Sequence, residues 1–251
     1  MATSEPSTPS PAATRDQEAN VRSQRRRWTR AVDRWDHHGV AGLEKIIAEV
    51  VAETTAVHPE SVVDIGAGTG AITIPVALAL PGAHVMAVDV SQAMIDRLAE
   101  RAAAEGLTDL ELLTAPAEKL EVERESVDVV VSNYALHHLL DADKERFVRQ
   151  ASKWLRPGGW LVIGDMMLGR GVDSEDRAII AGKVALMLRR GPAGWWRILK
   201  NAYRLVTRTS ERPISMQAWT TLLDRAGFVE VEARRVVNEA GLVKGRKPTA
   251  P

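Results

Sequence analysis

The sequence contains no cysteine, which excludes disulfides, thiolate metal sites and a cysteine nucleophile, and suits a reducing cytoplasm. It also lacks net charge, since 33 Lys and Arg balance 33 Asp and Glu. The molecule as a whole therefore lacks the basic footprint of a nucleic-acid-binding protein. Long apolar runs are missing too: charge or proline breaks each one within about a dozen residues, short of the ~20 that a spanning helix needs. The opening stretch MATSEPSTPSPAATRDQEAN has no apolar run of the secretory kind. Its Pro, Ser, Thr and Ala content predicts a disordered tail over residues 1–20. No internal repeat is present.

What is there is an apolar content of 45% over 251 residues, enough for one α/β domain with an extension or insertion. Trp28, Val32, Trp35, Leu43, Ile46, Ile47 and Val50 recur every three to four residues, which is helical spacing. Gly39 and Gly42 divide that stretch into two helices, and His58-Pro59 ends it.

From residue 61 short β-branched runs alternate with helical stretches. The runs are 61–65, 84–88, 110–114, 127–132 and 160–163, with helices predicted over 72–80, 92–105 and 144–155. Runs that are apolar throughout belong to strands buried on both faces, and their alternation with helices indicates parallel βαβ units. Asp89-Val90-Ser91 offers a cap before the helix carrying Met94, Ile95 and Leu98, and Gly106 closes it. Arg156-Pro157-Gly158-Gly159 stops the next helix and turns the chain into a strand. A helix over 216–226 precedes two terminal runs, near 228–231 and 241–244. Their alternating polar residues suggest an antiparallel hairpin at the sheet edge.

The chemistry centres on Val62-Val63-Asp64-Ile65-Gly66-Ala67-Gly68-Thr69-Gly70. Three glycines between a buried strand and a helix let the chain turn sharply and let a ligand approach the backbone. Asp89 ends the second strand, 19 residues after Gly70, where a carboxylate can accept from both ribose hydroxyls. Asp64 puts a second carboxylate at the glycine turn, where a pyrophosphate is unwelcome but a cationic amino group is not. This pair favours a nucleoside bearing an amino acid over a dinucleotide. The spacing agrees, because the third glycine comes one residue earlier than in G-x-G-x-x-G.

Asp64-Ile65-Gly66-Ala67-Gly68-Thr69-Gly70 resembles the first motif of class I S-adenosylmethionine-dependent methyltransferases. Asp89-Val90-Ser91-Gln92-Ala93-Met94 resembles their D-x-S-x-x-M segment, Ser132-Asn133-Tyr134-Ala135-Leu136-His137-His138 the loop after their fourth strand, and Leu155-Arg156-Pro157-Gly158-Gly159 the turn before their fifth. The similarity covers roughly residues 60 to 166 and is nearest to the ubiquinone and menaquinone C-methyltransferase branch.

The resemblance implies a Rossmann-like three-layer α/β sandwich, with a seven-stranded, mostly parallel sheet, an antiparallel C-terminal hairpin, N-terminal helices and a helical lid. It divides the chain into a tail (1–20), a helical cap (21–57), an S-adenosylmethionine-binding core (58–166), a lid or substrate segment (167–214) and the end of the core sheet (215–251). It also implies a cofactor site formed by Asp64, Gly66, Ala67, Gly68, Gly70, Asp89, Val90, Met94, Ala117, Glu118 and Asn133. Pro116 stands where the family often has an acid, so adenine recognition falls to the backbone around Ala117 or to Glu118.

Methyl transfer relies on alignment and desolvation, and a base helps where the acceptor carries a proton. His137 and His138 lie at the carboxyl end of the fourth strand and are the candidates for that base, or for orienting the substrate. Asp165 ends the fifth strand, in position to orient a substrate group. No further carboxylates stand at metal-ligand spacing, so no metal is expected. Trp35 is a candidate to close the methionine end of the site.

Lys183, Arg189, Arg190, Arg197, Lys200, Arg204, Arg208 and Arg212 face a single acid, Glu211, and surround Trp195 and Trp196. Together with Arg22, Arg25, Arg26, Arg27 and Arg30 around Trp28, they suit a hydrophobic acceptor such as a prenylated quinone, lipid or natural product. Peripheral contact with an anionic membrane is a further expectation, and a monomer or homodimer fits equally. A nicotinamide-dependent oxidoreductase or a non-catalytic cofactor-binding protein are the alternatives. Asp64, the early third glycine and the lack of a Tyr-x-x-x-Lys pair weigh against the former. Nucleic-acid methylation is disfavoured by Ser132-Asn133-Tyr134-Ala135, which stands where an Asn/Asp-Pro-Pro-Tyr/Phe motif belongs.

Overall fold

A computed structural model of the chain describes residues 11–30, 32, 43–169, 177, 181–182 and 211–249. Its spine is one sheet of seven strands in the order β3-β2-β1-β4-β5-β7-β6. The strands are β1 (Ser61–Ile65), β2 (His84–Asp89), β3 (Glu111–Thr114), β4 (Val127–Asn133), β5 (Leu155–Met166), β6 (Val229–Val237) and β7 (Ala240–Arg246). β1 to β5 pair in parallel, and β7 runs antiparallel to both β5 and β6. This is the expected Rossmann-like sandwich with its antiparallel C-terminal hairpin.

The described helices are α1 (Pro11–Thr29), α2 (Leu43–Thr55), α3 (Thr73–Ala79), α4 (Gln92–Ala104), α5 (Asp141–Trp154) and α6 (Met216–Arg225). Strand side chains alternate between faces, and both faces are covered here. Val63 and Ile65 of β1 pack with Phe147 and Trp154 of α5 and Trp219 of α6. Val62 packs on the opposite face with Ile46 and Val50 of α2 and Val76 of α3. β4 divides in the same way, with Val130 on the first side and Val129 and Val131 on the second. Burial on both faces is why these runs read as continuously apolar.

Three boundaries depart from the sequence reading. Helix α1 begins at Pro11, so residues 11–20 are helical rather than part of a disordered tail. Second, Arg156-Pro157-Gly158-Gly159 does not separate helix from strand but forms a bulge within β5. Val127 pairs with Leu155 and Val129 with Trp160, leaving four residues opposite Asp128. Asp128 holds the bulge by pairing with Arg156 at 2.8 Å, and Gly158 supplies a left-handed φ of 85°. Third, Ser91 stands at the N-cap of α4 without using its hydroxyl there; its own N–H is instead received by Asp89 Oδ1 at 2.9 Å.

Trp35, His37, His38, Gly39 and Gly42 lie outside the described residues, as does most of the lid expected over 167–214, including Trp195 and Trp196.

Candidate active site

β1 lies between β2 and β4, so the chain reverses its direction of travel across the sheet there. Open parallel sheets bind ligands outside the carboxyl ends of the strands at such a point. A cleft opens there, enclosing about 1010 Å³ including its mouth, the scale of small-molecule sites.

The glycine turn forms its floor. Gly66 and Ala67 both donate to Val88 O, at 2.8 and 3.0 Å, and Gly70 donates to Ala67 O at 2.9 Å. From α4, Arg101 clamps Thr69 O at 2.8 Å. Gly66 has φ 75°, and a Cβ built there would stand 2.2 Å from Ala135 Cβ, so the loop after β4 rests directly on the turn. Gly68 also has a positive φ, 55°, but a Cβ there would meet nothing within 4 Å. That open space is a cradle for a ligand.

Asp89 closes the β2 end. Its Oδ2 accepts from Gly68 N–H at 3.0 Å and its Oδ1 from Ser91 N–H, which ties the glycine turn to the following helix. Lone pairs remain for a ligand's hydroxyls. Burial raises its pKa, opposed by those backbone donors. Val90 and Met94 continue the wall. Ala117 and Glu118 form another side, with burial raising the Glu118 pKa. Gly66, Ala67, Gly68, Asn133 and His138 also line the cleft.

Asp64, Gly70 and His137 do not line it. Asp64 shares with Val62 the face of β1 that meets α3, and its carboxylate accepts from Thr73 Oγ1 at 2.6 Å. Burial pushes its pKa up to about 7, Asp89 adds repulsion, and the Thr73 hydroxyl opposes both. The sequence reading has Asp64 receive a cationic group at the turn; in this fold its carboxylate is engaged by Thr73. Strand parity aims the carboxylate at α3, where it fixes the helix behind the turn. Gly70 has a similar supporting place, packed against Ile74 and Leu98.

His137 sits in a single turn of 3-10 helix, Leu136–His138, behind the cleft wall. Its ring Nδ1 bonds to Asp165 Oδ1, and its backbone N–H donates to Asp165 Oδ2 at 2.8 Å. Asp165 Oδ1 also receives Met166 N–H at 2.7 Å. Asp165 is thus turned toward His137 rather than toward a substrate. The His137 and His138 rings lie 4.0 Å apart, and His138 is the one that reaches the cleft. Tyr134, with φ 52°, also lines it; burial raises the Tyr134 pKa, helped by Glu239 and Asp165. Among the described residues no cluster of three His, Asp or Glu side chains is set to hold a metal ion.

The sequence reading missed the roof. Asn20, Val21, Gln24 and Trp28 of α1 line the cleft, at the spacing of one helix face. That spacing was the available signal, hidden by the polar character of the segment. Asn20 Nδ2 donates to His138 O at 3.1 Å, Arg25 Nε to Val90 O at 3.2 Å, and Thr29 Oγ1 bonds Ser91 Oγ at 3.2 Å. The Trp28 ring meets the His138 ring edge-on at 5.2 Å. Beyond α1, Arg27 pairs with Glu211 at 3.1 Å, and Arg212 N–H donates to His137 O at 2.6 Å.

Fold and cleft together define a Rossmann-like, nucleoside-binding α/β enzyme. A family model described as a methyltransferase domain matches residues 62–159. A demethylmenaquinone methyltransferase of Clavibacter sepedonicus is 30% identical over 210 residues, 79% of this chain and 79% of that protein. Phosphoethanolamine N-methyltransferase 1 of Triticum aestivum is 30% identical over 129 residues, 51% of this chain and 25% of that one. The structure of human N-acetylserotonin methyltransferase with its S-adenosylmethionine superposes with TM-score 0.59 at 17% identity, covering 95% of this chain and 58% of that one. Magnesium protoporphyrin IX methyltransferase from Synechocystis, also with S-adenosylmethionine, gives TM-score 0.55 at 15% identity, with 82% and 80% covered. The chain belongs to the S-adenosylmethionine-dependent methyltransferase family, and S-adenosylmethionine is its cofactor.

The residues present fit that cofactor. The open cradle over Gly68 and the carboxylate of Asp89 lie side by side in the cleft. Among the described residues Asn133 Oδ1 and Gln24 Oε1 are buried without partners, and both residues line the cleft. Buried acceptors of this kind are costly unless a ligand donates to them.

Proposed function

We propose that the enzyme methylates a hydrophobic small molecule, of the prenylated quinone, lipid or natural-product type. The carrying observation is the makeup of the cleft past the glycine turn, where Leu43 and Ile47 of α2, Tyr134, Trp28 and Leu139 form the wall. His138 also lines this cleft, with the Trp28 ring edge-on to its own. The demethylmenaquinone relative supports the same acceptor class.

The roles follow from position. When bound, the cofactor supplies a methyl group on a cationic sulfur, an electrophile that needs no further activation. Asp89 accepts from the ribose hydroxyls, Val90 and Met94 flank the adenine, and Ala117 or Glu118 meets its edge. Gly66, Ala67 and Gly68 leave room for the amino-acid tail, and Asn133 Oδ1 offers that tail a neutral acceptor. His138 takes the acceptor's proton or orients its hydroxyl, with His137 as its positioning residue. Alignment in a water-poor cleft supplies the rest.

Incubation with methyl-labelled S-adenosylmethionine and two acceptors tests this reading. Label should pass to a demethylated prenylquinol and not to phosphoethanolamine; transfer to the polar amine alone would overturn it. The basic residues of α1 and of 183–212 further suit an anionic membrane face. Flotation with phosphatidylserine vesicles should show binding that weakens with salt, and no binding at low salt would remove that part.

A further inference from the structure

Gln24 is placed by α1 alone, and the sequence motifs do not touch it. The residue is 8% exposed, it lines the cleft, and its Oε1 is buried without a hydrogen-bond partner among the described residues. A glutamine left this way costs stability in the ligand-free protein, because a desolvated carboxamide oxygen has given up water and received nothing. Such an atom persists where a ligand supplies the missing donor.

The neighbours of Gln24 say which part of a ligand lies beneath it. Next in sequence, Arg25 donates to Val90 O. One turn on, Thr29 bonds Ser91. These two anchors sit on the residues directly after Asp89, at the end of β2. One turn back, Asn20 holds His138 O, and one turn on, Trp28 packs on the His138 ring. Gln24 therefore lies over the crevice between the β2 end and the turn after β4, in the same cleft that Asp89 lines. The adenosine half of the cofactor, with its hydroxyl and amine donors, belongs in that crevice.

We infer that Gln24 is a cofactor-binding residue, accepting a hydrogen bond from the adenosine moiety and fastening α1 over it. This rests on the cofactor reading of the cleft. It makes α1 part of the binding site rather than a packing extension, and it assigns Gln24 to the cofactor rather than to the methyl acceptor.

Gln24→Met keeps the length and flexibility of the side chain and deletes the polar atoms. Calorimetric titration of the full chain with S-adenosylhomocysteine and, separately, with 5′-methylthioadenosine reads the contact. The second ligand lacks the amino-acid tail. Affinity for both should fall by a similar factor, about fivefold, as for one lost hydrogen bond. The melting temperature of ligand-free Gln24→Met should equal or exceed that of the wild type, because the Oε1 it removes has no partner among the described residues. Unchanged affinity for both ligands would overturn the proposal while leaving the cofactor site intact. So would a weakened S-adenosylhomocysteine affinity with an unchanged 5′-methylthioadenosine affinity, which would move Gln24 to the tail. A ligand-free protein destabilised by the substitution would make Gln24 a packing residue. If the wild-type chain bound neither ligand, the cofactor reading itself would fall and this inference with it.

Discussion

Asp165 holds His137 by two separate bonds, one oxygen on the ring Nδ1 and the other on the backbone N–H. The carboxylate is 1% exposed, so its interactions run almost entirely to this residue and to Met166 N–H. The 3-10 turn carrying both histidines is thereby fixed to the end of β5. His138 then faces the cleft with His137 behind it.

Asp165→Asn should lower the free energy of unfolding by about 1.5–3 kcal/mol, the worth of hydrogen bonds to a buried charged group. Urea denaturation measures it. Methyl transfer should fall more steeply than affinity for S-adenosylhomocysteine, because the glycine turn and Asp89 lie on other elements. Equal losses in both would make the turn part of the cofactor site instead.

Gly66 and Gly68 should respond differently to alanine. At Gly66 the new Cβ meets Ala135 Cβ at 2.2 Å in a left-handed backbone. Strain and overpacking together cost on the order of 3 kcal/mol. At Gly68 the space is open and φ is 55°, so only the strain of about 1 kcal/mol remains. Gly68→Ala should stay folded and still bind S-adenosylhomocysteine more weakly, since its methyl group enters the cradle. Thermal melts and titration of both variants separate the two effects.

Asp64 gives the protein a pH dependence of defined sign. Its pKa is raised from 3.8 to about 7 in the fold, so between those values the folded state holds a proton that the unfolded state has lost. This contribution is fully present below about pH 4 and is lost as pH rises toward 7, levelling off above it. Asp64→Asn keeps an acceptor for Thr73 and removes the titration. The variant should gain stability relative to wild type as pH rises from 5 to 8, by up to a few kcal/mol. A constant difference across that range, measured by urea denaturation, would mean that Asp64 ionises at its ordinary pKa.

Much of this was legible in the sequence because it depends on local pattern. Val62, Val63 and Ile65 announce a strand buried on both faces, and Gly66-x-Gly68-x-Gly70 announces the turn after it. Asp89 was located by its distance from that turn. The sequence is less legible where a side chain's direction decides. Asp64 lies beside the glycines in sequence, yet strand parity turns it to Thr73. His137 and His138 are adjacent, but only His138 reaches the cleft, because Asp165 holds the other. Gln24 went unassigned and Trp28 was read only with its arginines, because α1 is largely polar and its binding face shows only once the helix meets the residues after β2 and β4. The bulge at Arg156–Gly159 was legible as a turn but not as an interruption within one strand, since pairing to Val127 and Val129 is a tertiary fact.

Titration of the chain with S-adenosylhomocysteine, beside Asp89→Ala and with NADH as the competing ligand, tests the central claim most directly. The wild type should bind one equivalent of S-adenosylhomocysteine. Asp89→Ala should bind it about 10- to 100-fold more weakly, as for lost charge-assisted bonds to the ribose, and NADH should give no heat. NADH binding without S-adenosylhomocysteine binding, or an Asp89→Ala affinity equal to wild type, would contradict the account.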